Sequence, residues 1–368
     1  MKPKLSPRPS PVSIQTRLLK WYRKHRRDLP WRHSHDPYRI WIAEVMLQQT
    51  RIAAVVPYYD RFLKRFPTVE SLARARQDSV LKYWSGLGYY SRARNLHRAA
   101  QEIVSKHAGK FPPSLDAALK LPGIGHYTAA AVLSIAYEAP LAVLDGNVAR
   151  VLARLDAIRG DLRAPSSWKL LASKAQDLLA REAPGDWNQA LMELGETICT
   201  PRAPQCKICP IAQACRARRL GLTESIPAPR KKRAPVHQKI AAAILRDPRG
   251  RTLLIKDPGA HDDVLFSRMW QFPAIEVTRQ PRRELEAHLR ATLGLSTPLS
   301  LEPLPQARHG VTFRNITLLP FLVEVAKLPR LPRTRTLPVS HLRRTSHLSI
   351  SSATRKIADA LSKAISSK

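Results

Sequence analysis

From Ile14 to about Ala217, apolar residues recur at three- and four-residue spacing between short Gly/Pro breaks, a pattern that predicts a succession of helices. Leu18, Trp21 and Tyr22 open it, and the stretches Ile40 to Gln49 and Thr68 to Tyr83 continue it. Ser114 is placed to cap a short helix ending near Leu121, and a helix of small residues is predicted from Tyr127 to Tyr137. The texture changes after Cys215. Residues 221–237 carry three prolines and a basic run and read as an exposed linker. Beyond it, Ile240 to Leu245 and Thr252 to Ile255 are strand-like and are joined by Asp247-Pro248-Arg249-Gly250, a hairpin turn signal. A run from Leu318 to Val325 and a helical stretch from Arg282 to Leu293 complete an α+β pattern. The expected organisation is a basic flexible arm over 1–12 and an all-α domain over 13–220. An interdomain linker over 221–237, an α+β domain over 238–347 and a basic tail over 348–368 follow.

Composition adds a partner. Hydrophobic residues make up 44% of the 368 residues, enough to build real cores, so a wholly disordered chain is excluded. Lys and Arg number 62 against 28 Asp and Glu, a formal charge of +34. Such an excess repels itself in the free protein and is relieved on a polyanion, with nucleic acid the leading candidate and an anionic membrane the weaker one. Residues 1–33 hold ten Lys/Arg and one Asp, and residues 327–368 repeat that imbalance, which reads as a nonspecific tether. No run of about 18 apolar residues occurs, so no transmembrane helix is expected. Met1 to Val12 lacks the apolar segment of a secretory signal. All four cysteines lie between Cys199 and Cys215, which suits a reducing compartment better than a disulfide scaffold. A bacterial cytoplasm, close to the nucleoid, is the expected location, and a monomer the expected state.

Three local patterns carry chemistry. Cys199-x6-Cys206-x2-Cys209-x5-Cys215 brings four thiolates within reach of one cofactor. One tight knuckle with longer arms suits a [4Fe–4S] cube better than zinc, which usually takes two knuckles, although zinc and free thiols remain alternatives. Leu121-Pro122-Gly123-Ile124-Gly125 lies between two predicted helices, over about 114–137. Its glycines let backbone approach a ligand closely, and amides at the following helix start can bind a phosphate oxygen. In a strongly basic protein that reads as a helix-hairpin-helix clamp on the DNA backbone. The third pattern is a pair of carboxylates in contrasting settings. Glu44 sits in a very apolar helix, where burial would keep it protonated near neutrality, while Asp145 sits in the polar turn Leu144-Asp145-Gly146-Asn147. Singly each reads as a satisfied buried acid or a helix cap; together they fit acid-assisted glycosidic cleavage.

The hairpin, the Leu144–Asn147 turn and the cysteine spacing together resemble the helix-hairpin-helix DNA glycosylases. Glu44-Val45-Met46-Leu47-Gln48-Gln49-Thr50 and Gly86-Leu87-Gly88-Tyr89-Tyr90-Ser91-Arg92 are similar, within that superfamily, to the MutY family of A/G-specific adenine glycosylases. The resemblance runs from about Leu18 to Cys215 and more loosely to about His347. It implies base excision repair of double-stranded DNA, with adenine removed opposite 8-oxoguanine or guanine to leave an abasic site, at a cost of a few kcal/mol for unstacking the base. By motif position it implies that Glu44 protonates adenine N7 and that Asp145 stabilises the oxocarbenium sugar or a transient covalent intermediate. Tyr127 and Asn147 would position these groups. Trp31, Arg32 and Gln189 would line the adenine pocket, Gln49 and Thr50 would enter the opened duplex, and Leu87 and Tyr89 would act beside the lesion.

Tyr127 stands where endonuclease III-like relatives carry a lysine that forms a Schiff base. A phenol cannot form an imine, so the chain is expected to be a monofunctional glycosylase. The C-terminal domain resembles a Nudix fold through Met269-Trp270-Gln271-Phe272-Pro273. Its Arg283-Glu284-Leu285-Glu286-Ala287-His288 lacks the glutamate pair that holds metal, so the resemblance implies a lesion reader and not a nucleotide hydrolase. Gly310-Val311-Thr312-Phe313 departs from the Phe-Ser-His loop of some members, leaving Thr312 to supply the hydroxyl contact. Ala149 stands where some members carry a lysine. Two competing readings are a pyrimidine-directed glycosylase/lyase and a DNA-binding protein that uses its cluster as a redox sensor. The first is opposed by Tyr127 and the second domain. The second leaves Glu44, Asp145 and the adenine-pocket residues unexplained.

Overall fold

The computed structural model of the chain describes residues 10–228, 234–256, 269–295, 298–311, 313–343, 348 and 350–366. The chain forms two compact units, Met1–Ala75 with Arg94–Lys231, and Arg76–Ala93 with Lys232–Lys368. The helices run α1 (Pro11–His25), α2 (Pro37–Leu47), α3 (Ile52–Arg65), α4 (Val69–Ala73), α5 (Gln77–Trp84) and α6 (Tyr90–Lys106). They continue with α7 (Leu115–Leu119), α8 (His126–Tyr137), α9 (Gly146–Asp156), α10 (Pro165–Asp177), α11 (Pro184–Thr197) and α12 (Arg216–Arg219).

In the first unit α1 starts where the basic arm was expected to continue. The Ser10 hydroxyl accepts from the Ser13 amide and Pro11 occupies the first turn, so the chain is helical from residue 11. The stretch predicted from Thr68 to Tyr83 is two helices. A capping box between Thr68 and Ser71 starts α4, and the chain turns before α5. Helix α2 is apolar around its circumference: Ile40, Trp41, Ile42, Ala43, Val45 and Met46 are all buried. From Ile40 to Met46 the helix has no solvent face and lies inside the domain, which carries Glu44 in with it. Helix α8 is buried from Thr128 to Ile135, and its run of alanines lets neighbouring backbone approach. Leu18 and Tyr22 of α1, Val148 and Leu152 of α9 and Trp187, Leu191 and Leu194 of α11 share one core.

The second unit is a mixed sheet between helices. Its strands are β1 (Val236–Arg246), β2 (Arg251–Lys256), β3 (Trp270–Gln271), β4 (Ala274–Glu276), β5 (Leu301–Pro303), β6 (Ala307–Val311), β7 (Arg314–Glu324) and β8 (Thr334–Pro338). Its further helices are α13 (Pro281–Leu293), α14 (Ser340–Arg343) and α15 (Ser352–Ser366). Strands β1 and β7 pair in parallel from Val236↔Arg314 to Arg246↔Glu324. Strand β1 is buried on both faces, as a central strand covered on two sides must be. Ala241, Ala243 and Leu245 meet Leu285, Leu289 and Leu293 of α13 on one side. On the other, Ala242 and Ile244 share a core with Ile357, Ala358 and Leu361 of α15.

Helix α15 corrects the expected basic tail over 348–368. Ala353, Ile357, Ala360 and Leu361 are buried, so the segment completes the sheet's second face instead of trailing from it. The linker expected over 221–237 is also shorter at both ends, because Ile226 is buried in the helical core and β1 begins at Val236. Arg76–Ala93, expected within the helical domain, groups with the sheet. Lys256 of β2 pairs with Asp78 of α5 at 2.6 Å, and Ser85 donates to the Ile350 carbonyl at 3.0 Å.

Candidate active site

The helical unit contains a cavity of about 440 Å³, a size that suits a small aromatic ligand. Glu44, Tyr127, Asp145, Asn147, Trp31, Arg32, Gln189, Gln49 and Thr50 all line it, gathered from five separate parts of the chain. Glu44 comes from the apolar helix α2. The hydroxyl of Tyr127, the second residue of α8, donates to Glu44 Oε2 at 2.8 Å. Burial pushes the Glu44 carboxyl up to about 7, helped by the negative charge of Asp145 and opposed by the Tyr127 hydrogen bond and the Arg32 guanidinium. Burial likewise drives the Tyr127 phenol well above its ordinary value, with Glu44 adding to the effect. Tyr127 therefore stays a donor across the pH range in which Glu44 titrates.

Asp145 is the N-cap of α9, its Oδ1 accepting from the Val148 amide at 2.7 Å. Burial raises its carboxyl, and the Val148 and Asn147 amides and the Arg150 guanidinium pull it back. Asn147 is held by Arg150, whose Nη2 donates to Asn147 Oδ1 at 2.9 Å and to the Gly195 carbonyl at 2.7 Å. The two carboxylates thus differ as the sequence suggested. One is surrounded by hydrocarbon and a phenol, the other by backbone amides and a guanidinium.

The wall opposite is stiffened by ion pairs. Glu193 is buried and takes Arg27 Nε on Oε1 at 2.7 Å and Arg32 Nη2 on Oε2 at 2.7 Å. Burial alone would raise the Glu193 carboxyl, but the two guanidiniums outweigh it and hold it below its ordinary range. Trp31 packs edge-on against Tyr59 with ring centroids 5.4 Å apart. Gln49 adopts a left-handed backbone, φ 57°, at the end of α2. Sequence reasoning missed Glu193, Glu196 and Met192 as cavity residues. Their signal was available, because Gln189, Met192, Glu193 and Glu196 follow helical spacing on one face of α11.

The other expected site residues lie elsewhere. Gly123 has φ +75°, and a Cβ there would sit 2.6 Å from the Asn95 side chain, so only glycine fits. Gly125 is the N-cap of α8, two residues before Tyr127, and a Cβ there would meet nothing within 4 Å. Leu87 and Tyr89 belong to the second unit, and Thr312 lies outside the described residues.

Cys199, Cys209 and Cys215 pack against the helical core. Burial pushes the Cys209 thiol up to about 12, with Cys199, Cys215 and Cys206 adding to the rise. Cys215 is raised in the same way, with burial the main cause and Cys199 and Cys206 contributing. Arg154, fully buried, donates to Cys199 Sγ at 3.3 Å, and Arg150 donates to the Cys199 carbonyl at 2.8 Å. Among the described residues no three His, Cys, Asp or Glu side chains gather as they would around a single metal ion.

Residues 42–175 match the HhH-GPD superfamily of base excision DNA repair proteins. The adenine DNA glycosylase of Rattus norvegicus is 33% identical over 379 residues, a match spanning 89% of this chain and 73% of the rat protein. The adenine DNA glycosylase of Homo sapiens is 44% identical over 210 residues, spanning 55% of this chain and 38% of the human protein. Among solved structures, a thermostable thymine-DNA glycosylase superposes with a TM-score of 0.53 at 30% identity, over 57% of this chain and 97% of that one.

Proposed function

Because the chain belongs to the adenine DNA glycosylase family of base excision repair enzymes, we propose that it releases adenine mispaired with 8-oxoguanine or guanine and leaves an abasic site. The observation that carries this reading is Glu44: a buried carboxyl held near pKa 7, hydrogen-bonded by Tyr127, in a cavity that also takes in Asp145. An acid of that strength is poised to give up a proton at neutral pH. Glu44 protonates N7 of the flipped adenine, so the C1′–N9 bonding pair leaves with a neutral base. Asp145 faces the developing positive sugar, and water completes the exchange at C1′. Asn147 is held by Arg150 and Arg32 by Glu193, so both present fixed polar atoms to the cavity.

Tyr127 cannot form an imine, and no lysine lines the cavity among the described residues, which supports a glycosylase without lyase activity. Cys199, Cys206, Cys209 and Cys215 would hold a [4Fe–4S] cluster. Cys199, Cys209 and Cys215 pack against the helical core, and Arg154 donates to Cys199 Sγ at 3.3 Å; soft donors beside a cation fit a group that takes them as thiolates. Bound there, it would supply iron–thiolate cross-links closing the loop after α11. Gly123 and Gly125 would bring backbone amides to a DNA phosphate.

In the second unit, Glu284 accepts from the amides of Thr278, Arg279 and Gln280 at 3.1, 3.1 and 2.8 Å. Its carboxylate is spent on backbone, and Glu286 is paired with Arg290 at 2.8 Å. That supports a Nudix-like reader of the lesion instead of a metal-dependent hydrolase. The test is single-turnover cleavage of duplexes with A opposite 8-oxoguanine, G or T, read with and without alkali. Product from the first two alone, and only after alkali, is expected. Nicking without alkali, or release from A:T at the same rate, overturns the reading.

A further inference from the structure

The Gly86–Tyr89 loop is held as part of the sheet unit. It begins at Ser85, which is buried and lies between two groups of the C-terminal segment. Ser85 Oγ donates to the Ile350 carbonyl at 3.0 Å and accepts from Arg355 Nη2 of α15 at 3.1 Å. Ile350 in turn bridges to Trp270 of β3. At the far end of α5, Asp78 pairs with Lys256, whose ammonium lies 5.7 Å from the Trp270 ring centroid. Both ends of α5 are therefore tied to one corner of the sheet.

Arg92 fixes the loop from within. Its Nη2 donates to the carbonyls of Leu87 and Gly88, each at 3.3 Å. Its guanidinium lies 5.3 Å from the Trp84 ring and 5.4 Å from the Tyr89 ring. Trp84 Nε1 donates to the Gly88 carbonyl at 3.1 Å, so that oxygen is gripped twice. The backbone so held is strained: Gly88 has φ +71°, which suits glycine, but Tyr89 has φ +46°, which does not suit a tyrosine. An unfavourable conformation persists only when its surroundings over-determine it, and here one planar cation and one buried serine do so.

We propose that Arg92 and Arg355 are positioning residues for recognition of the base opposite adenine: they preset Leu87 and Tyr89 as part of the sheet unit. The inference rests on the reading of Leu87 and Tyr89 as lesion-side residues given above. It adds that the loop and the C-terminal helix act as one body, so that a change in α15 alters selectivity without touching the adenine cavity.

The test uses the full chain and three variants, Arg92→Lys, Arg355→Ala and, as a conservative rescue, Arg355→Lys. Amide hydrogen exchange over residues 86–90 reads the holding directly, with no substrate present. It is expected to rise at least tenfold in Arg92→Lys and Arg355→Ala and to return towards wild type in Arg355→Lys. Single-turnover rates on A:8-oxoguanine and A:G read the consequence. In the first two variants the rate ratio between the substrates should fall roughly tenfold, within the loss of up to about a hundredfold that misplacing a group by about an ångström can cause. Unchanged exchange overturns the proposal whatever the lesion preference. So does a parallel loss on both substrates, which would mark a merely structural role. A wild-type protein with no preference for 8-oxoguanine, but with variants that loosen the loop, would instead overturn the lesion assignment and leave the positioning intact.

Discussion

Glu44 concentrates the chemistry of the molecule in one proton. Its carboxyl is raised from an ordinary 4.5 to about 7 because charge is costly where burial has removed water. Below about 4.5 both folded and unfolded chains hold the proton, and the site costs nothing. As pH rises through the window from 4.5 to 7 the unfolded chain gives up its proton first, and stability is lost. Glu44→Gln removes that loss. The variant should match wild type near pH 4.5 and exceed it by roughly 3 kcal/mol at pH 8 in denaturant unfolding, while base release falls at least about a hundredfold. Tyr127→Phe acts in the opposite sense on the proton. The Tyr127 hydrogen bond holds the Glu44 value down, so losing it should carry the alkaline limb of the single-turnover pH profile above its wild-type midpoint near 7. Glu44 itself was legible because Ile40–Leu47 is apolar on all sides, and a carboxylate in such a helix has nowhere to go but inside. Its partner was less so: periodicity places Tyr127 on a helix but cannot say that its hydroxyl ends on Glu44.

Helix α9 does two tasks with one residue. Asp145 both starts the helix and faces the cavity, and the two roles separate by substitution. Asp145→Asn keeps an oxygen for the Val148 amide and should unfold within about 1 kcal/mol of wild type, whereas Asp145→Ala loses the cap as well. Both should lose base release, which single-turnover kinetics on A:G will show. If Asp145→Asn retains full activity, the residue is a cap and nothing more. The cap was readable from Asp145-Gly146-Asn147, and Arg150 stands at helical spacing from Asn147, but the Gly195 carbonyl that fixes Arg150 was not readable, because it depends on how closely α9 meets α11. Helix α15 shows the converse failure. Ala353, Ile357, Ala360 and Leu361 carry a helical apolar stripe that was present in the sequence. Arg355 and Lys356 between them helped the segment read as a basic tail, although long basic side chains commonly cover an apolar face. The sheet was legible from its runs and its Asp247–Gly250 turn, whereas the parallel pairing of β1 with β7 follows from long-range contacts that no local pattern encodes.

At the scale of the whole molecule the charge of +34 is the dominant field. A tether of that strength should make affinity for undamaged duplex fall about a thousandfold between ~50 and ~200 mM salt, the behaviour of six or more phosphate contacts. Fluorescence anisotropy across that range checks it, and a flat response would place the excess charge away from DNA. The division into units has a different consequence, one of time. Ser85 finds its partners 265 and 270 residues further along the chain. At about 5–20 residues per second of synthesis, Ser85 waits on the order of tens of seconds before those partners exist. The helical unit can gather most of its core long before then. Folding in the cell is therefore staged, and the segment that waits longest is the one from which the Gly86–Tyr89 loop extends.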